Sequence, residues 1–129
     1  MVDDDADVRR VFATVLRQRY EVVEVAGGAA ALEALASTPF RLVVLDLHMP
    51  NVDGFAVLEQ LAEMGPPNQD IPVIMVTADG TDTARARALK AHGVYFLSKP
   101  VPIRVLSSLV DSTIERLAEV KRSGTPPKP

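Results

Sequence analysis

An α/β protein built on a parallel sheet with helices on both faces is predicted from two observations. Helix-like and strand-like segments alternate along the chain, which implies right-handed crossovers between parallel strands. The segments at residues 42–45 and 71–76 are continuous apolar runs rather than alternating ones, as strands covered on both faces require.

Each element has a local reason. Residues 6–19 carry Val8, Val11, Phe12, Val15 and Leu16 at helical spacing, with Arg9, Arg10, Arg17 and Arg19 elsewhere. Asp5 or Asp7 at the start of this helix offers a carboxylate to free N–H groups. Residues 20–25 are short and β-branched-rich, which predicts a strand. Gly27 and Gly28 break the chain, and residues 29–36 form an alanine-rich helix. The 42–45 strand ends in Asp46. After a loop at 50–54, residues 55–64 place Phe55, Val57, Leu58, Leu61 and Ala62 in helical order. The Asp53-Gly54 pair reads as a turn and helix start. A proline-bearing loop at 65–70 leads to the strand at 71–76, which closes on Thr77. Residues 81–92 form a charged helix with Ala84, Ala88, Leu89 and Ala91 on its apolar side, and Gly93 suits its C-cap. Arg85, Arg87 and Lys90 read most simply as its solvated face, and His92 as a favourable charge near its C-terminus. Residues 94–98 form another strand, followed by Lys99-Pro100. Residues 103–120 form the longest helix, carrying Val105, Leu106, Leu109, Val110, Ile114 and Leu117. One domain over residues 1–122 is expected, with 123–129, rich in proline, as a flexible tail or the start of a linker.

Composition excludes several functions. The 129 residues include no cysteine, so disulfides, thiolate metal sites and cysteine nucleophiles are ruled out. Two histidines, His48 and His92, are too scattered for a histidine metal cluster. The formal net charge of -3 argues against a nucleic-acid surface, which carries a basic footprint. No apolar run reaches the roughly 18 residues of a membrane span, and a cytoplasmic protein is expected. Neither a P-loop nor a GxGxxG turn is present.

In open parallel sheets, sites form beyond the carboxyl ends of the strands. Asp3-Asp4-Asp5 follows the stub Met1-Val2, Asp46 ends the 42–45 run, Thr77-Ala78 ends the next, and Lys99-Pro100 follows the last. Clustered carboxylates repel one another unless a cation sits among them, and Mg²⁺ takes oxygen ligands while keeping several waters. A metal there holds Asp46 ionised and nucleophilic. Lys99 and the Thr77 hydroxyl complete a clamp on phosphoryl oxygens, and Ala78 leaves room.

VDDD at Val2 to Asp5, LDLHMPNVDG at Leu45 to Gly54, VTA at Val76 to Ala78 and FLSKP at Phe96 to Pro100 resemble the receiver domain of bacterial two-component response regulators. The resemblance covers about residues 2–119 and implies a flavodoxin-like (βα)5 sandwich with sheet order 2-1-3-4-5. It implies Asp46 as phosphoacceptor. It implies Mg²⁺ (or Mn²⁺) held by Asp4 directly, Asp3 mainly through water, Asp46 and the backbone carbonyl of His48. Thr77 resembles the switch hydroxyl and Phe96 the switch aromatic, with Tyr95 as a competing candidate. Lys99 resembles the phosphoryl-binding lysine, with a cis bond to Pro100. The implied partner is a sensor histidine kinase or histidine phosphotransfer protein, and the implied activity is at most self-phosphorylation and autodephosphorylation. A homodimer through the surface of the 81–92 helix, the 94–98 strand and the last helix is also implied, with no nucleic-acid or membrane partner.

The sequence departs from that pattern at its start, where Met1-Val2 stand in place of a full first strand. Strands lie about 4.8 Å apart, so losing the central one is expected to leave its neighbours about 10 Å apart, with unpaired backbone groups and loosely tethered Asp3 and Asp4. A sequence with a few more residues upstream is the expected explanation. The alternative function is a phosphorylation-independent interaction module with a receiver-like fold. A haloacid-dehalogenase-like phosphatase needs a second acid two residues after the nucleophile, and His48 stands there.

Overall fold

The computed structural model describes residues 1–78, 80–92 and 95–123. Five helices and three strands follow in the order α1 (Ala6–Leu16), α2 (Gly28–Ser37), β1 (Val43–Leu45), α3 (Gly54–Glu63), β2 (Val73–Thr77), α4 (Asp82–His92), β3 (Tyr95–Ser98) and α5 (Ile103–Ser123). The strands form one parallel sheet in the order β1-β2-β3, with Val44 opposite Ile74 and Met75 opposite Phe96.

The apolar strand runs divide by side-chain alternation between two cores. Val43, Leu45, Val73 and Met75 face α2, α3 and α4, packing with Leu35, Phe55, Leu58, Leu61 and Ala88. Val44, Ile74 and Val76 face α1 and α5, packing with Phe12, Leu16, Leu106 and Val110. Both faces are therefore covered, as the sequence predicts. Local chemistry sets the helix starts. Asp5 caps α1, its carboxylate accepting from the Asp7 and Val8 N–H groups. Asp53 caps α3 by accepting from the Ala56 N–H at 2.9 Å. Buried Asn68 stitches the loop before β2 to the end of α2, donating to the Leu35 and Thr38 carbonyls at 2.7 Å each.

The start of the chain differs from expectation. Val2 forms parallel bridges to both Val25 and Leu45. Its N–H donates to the Val44 carbonyl at 2.8 Å and its carbonyl accepts from the Asp46 N–H at 3.1 Å. On the other side the Val25 N–H donates to the Met1 carbonyl at 3.0 Å. Three residues thus hold the central position of a 2-1-3-4-5 order, and the flanking segments are bridged where they approach the site. The strand expected at 20–25 is reduced to the single bridge at Val25, because only Met1 to Asp3 stand beside it. The Gly93 cap, the Val94 start of the last strand and residues 124–129 of the tail lie outside the described residues. Helix α5 runs to Ser123, past the expected end at residue 120.

Behind Met1 the sheet opens into an apolar groove lined by Val22, Val23, Leu42, Val43, Leu35 and Val110 among others. The Met1 ammonium sits at its mouth and donates to the Val23 carbonyl at 2.9 Å. Burial pulls its pKa down from 8.0 to about 6, outweighing the opposing pull of Glu24. The unfolded chain then binds this proton more tightly than the folded one, so stability increases as pH rises from 6 to 8, by roughly 2 kcal/mol. Joining four β-branched residues to Met1 fills the groove and removes the charge. Thermal melts across this pH range should show a higher midpoint for the extended protein and no such slope; an unchanged midpoint would contradict the packing described here.

Candidate functional site

Three strand ends and the segment after Val2 meet at one edge of the sheet. Asp3 is 1% exposed and Asp46 7% exposed, while Asp4 is exposed. One carboxylate oxygen from each of Asp3, Asp4 and Asp46 lies within 4.8 Å of the others. Lys99, delivered by the loop after β3, bridges the two buried acids: its Nζ donates to Asp3 Oδ2 at 2.9 Å and to Asp46 Oδ2 at 3.1 Å. The second oxygens are held by main chain. Asp3 Oδ1 accepts from the Asp5 N–H at 2.9 Å, and Asp46 Oδ1 from the His48 N–H at 3.3 Å.

The lysine is locked to its neighbour strand. Its N–H donates to the Thr77 carbonyl at 2.7 Å, and the Lys99–Pro100 bond is cis. Partial burial alone would lower the Lys99 pKa, but the hydrogen bonds and charges of Asp3 and Asp46 outweigh it and hold the pKa above its usual value. Thr77 ends β2 fully buried, paired in register with Ser98. Phe96 is half-buried on β3, with the Arg85 guanidinium 4.9 Å from its ring centroid. Tyr95 is exposed, and its hydroxyl accepts from Arg116 at 2.7 Å.

The site therefore brings together Asp3, Asp4, Asp46 and Lys99, with Thr77 joined through main chain. Asp3 is not loosely tethered. Its N–H donates to the Val25 carbonyl at 3.3 Å and its carbonyl accepts from Arg9 Nη1 at 2.7 Å. Two supporting residues carry no chemical signal in sequence. Arg9 is indistinguishable there from Arg10. Gly54 reads as a helix start, yet a Cβ on it would stand 2.3 Å from the Asp46 carbonyl oxygen and 2.8 Å from Leu47 Cα. Only a hydrogen fits at that position, so the helix packs directly against the backbone that carries Asp46.

The donor set fits a hard divalent cation. Its side-chain donors are all carboxylate oxygens, the ligand type that Mg²⁺ takes. Three carboxylates against one ammonium leave negative charge that such an ion neutralises.

The molecule is thus an α/β domain with a doubly covered parallel sheet and an acidic, lysine-bridged edge. Comparison with known proteins narrows that description. The family model for the response regulator receiver domain matches residues 1–111. A probable transcriptional regulator ycf27 of Cyanophora paradoxa is 35% identical over 117 residues, covering 90% of this chain and 47% of that protein. The transcriptional regulatory protein ResD of Bacillus subtilis (strain 168) is 30% identical over 131 residues, covering 99% of this chain and 53% of that protein. Among solved structures, the receiver domain of the Francisella response regulator 1452 superposes with a TM-score of 0.82 at 25% identity, covering 90% of this chain and 94% of that one. The chain belongs to the response regulator receiver domain family of two-component systems. It spans about half the length of these two relatives. No described helix is long and apolar enough to cross a membrane.

Replacing Lys99 tests the electrostatic core of the site. Lys99→Met leaves Asp3 and Asp46 buried without their shared cation. The substitution should destabilise the protein by roughly 1–3 kcal/mol near neutral pH, the cost of leaving buried acceptors unsatisfied, as read by urea unfolding. Millimolar Mg²⁺ should recover part of the loss. Equal stability of the two proteins at neutral pH would contradict the bridged arrangement.

Proposed function

We propose that the chain is a phosphorylation-dependent switch that accepts a phosphoryl group on Asp46 from the phosphohistidine of a sensor histidine kinase or histidine phosphotransfer protein. The observation that carries this reading is the Lys99 bridge: one ammonium contacts both buried carboxylates at the edge of a parallel sheet, with Asp4 beside them. An oxygen of the Asp46 carboxylate attacks phosphorus while the P–N bond of the phosphohistidine breaks, and the acyl phosphate forms with the imidazole as leaving group.

Each residue present has a part in that step. The His48 N–H holds one Asp46 oxygen and Lys99 the other, while Gly54 lets α3 pack directly against the Asp46 backbone. Lys99 is held protonated by its two acids, so it meets the incoming phosphoryl oxygens as a cation. Asp4, Asp46, the His48 carbonyl and Asp3, the last mainly through water, are the residues that would hold Mg²⁺ (or Mn²⁺), which supplies positive charge against the phosphoryl oxygens. Hydrolysis of the acyl phosphate resets the site.

Thr77 and Phe96 are the proposed readout. Thr77 ends β2, and Phe96 pairs across from Met75 on the same strand. A hydroxyl drawn toward a phosphoryl group therefore acts on the β3 edge through adjacent ladder positions. The surface of α4, β3 and α5 would then change its affinity for a partner, a second copy included. This reading takes residues 1–122 as the receiver domain, 123–129 as a tail or linker start, and the cytoplasm as its setting.

Incubation with Mg²⁺ and acetyl phosphate should add one phosphoryl mass to the wild type, seen in the intact-protein mass spectrum, and none to Asp46→Asn. No addition to the wild type, or equal addition to the variant, would refute the assignment.

A further inference from the structure

We infer that Arg9 is a positioning residue for divalent-cation binding, holding the Asp3–Asp4 peptide in the orientation that brings Asp4 beside Asp46. The inference rests on the metal-binding part of the function proposed above. Arg9 reaches back from the first turn of α1, and its Nη1 donates to the Asp3 carbonyl at 2.7 Å. That carbonyl belongs to the peptide group linking Asp3 to Asp4, so fixing it fixes the plane from which Asp4 departs. Asp4 needs such help. Its carboxylate is exposed and makes no hydrogen bond or ion pair among the described residues, whereas Asp3 is held through both carboxylate oxygens.

The arginine is itself braced. Its Nε lies 3.4 Å from Glu24 Oε1, an ion pair without hydrogen-bond alignment. Arg17 Nη1 donates to Glu24 Oε2 at 2.9 Å and its Nη2 to the Val22 carbonyl at 3.1 Å. Glu24 thus joins Arg9 of α1 and the C-cap Arg17 to the segment that flanks the chain's start. Strand pairing holds Asp3 weakly there, because its N–H bond to Val25 is long at 3.3 Å. The short bond from Arg9 is the firmest hold on the Asp3 main chain. The guanidinium is required because one planar fork faces a carbonyl and a carboxylate at once, which a lysine ammonium on a flexible stem does not reproduce.

The test measures Mn²⁺ binding to the purified full chain by electron paramagnetic resonance of the free ion, beside Mg²⁺-dependent phosphorylation by acetyl phosphate. Arg9→Met should weaken Mn²⁺ about tenfold and raise half-saturating Mg²⁺ by a similar factor. Maximal phosphorylation at saturating metal should stay within twofold of wild type. Arg9→Lys should recover only part of the affinity, and Glu24→Gln, which leaves Arg9 its bond to Asp3, should weaken Mn²⁺ about threefold. Equal Mn²⁺ affinity in wild type and Arg9→Met would overturn the inference. So would a fall in melting temperature and maximal phosphorylation at unchanged half-saturating metal, the pattern of a residue that only supports the fold. Wild type that binds Mn²⁺ but takes no phosphoryl group would refute the Asp46 reading while leaving the role of Arg9 intact.

Discussion

Two almost fully buried carboxylates, Asp3 and Asp46, share a single ammonium from Lys99. Taking charges out of water is costly unless each is paired and hydrogen-bonded. Every contact of this triad answers that requirement: the Asp5 and His48 N–H groups take the remaining carboxylate oxygens, and main chain at Thr77 fixes the lysine. The rest of the structure serves to bring these three side chains, from positions 3, 46 and 99, to one point. A parallel sheet does so by construction, because every strand delivers its C-terminal residue to the same edge.

Val2 is 3% exposed and bonds to the main chain of Val44 and Asp46, while Met1 and Asp3 bond to Val25, so these three residues align the acids with β1. Behind Met1 the central position continues as an apolar groove. Away from the site, Tyr20 donates to Asp111, and Arg19 pairs with the same carboxylate at 2.8 Å, tying the end of α1 to α5. Burial and that acceptor push the Tyr20 pKa up to about 12, so the tie persists through the physiological range.

Much of this was legible from residue order. The apolar runs before Asp46 and Thr77 suited strands covered on both faces, and the two cores show that division of side chains. The helices followed from spacing and capping residues such as Asp5 and Asp53. The segment at 20–25 was misread because β-branched composition reports fitness for a strand and not the presence of a partner. The hold on Asp3 was equally hidden. Its contacts to Arg9, Val25 and Lys99 come from three elements, and no local pattern announces them. Gly54 was legible as a helix start but not as the wall behind Asp46, because close approach is a property of packing.

The proposed function requires that Asp3, Asp4 and Asp46, whose charge Lys99 only partly balances, bind one cation together. Amide-resolved nuclear magnetic resonance during titration with Mg²⁺ tests it directly. Saturable shifts confined to the neighbourhood of Asp3, Asp4, Asp46, His48 and Lys99 are predicted, fitting one dissociation constant at every affected amide. Shifts spread over the acidic surface without saturation, or none near Asp46, would contradict it.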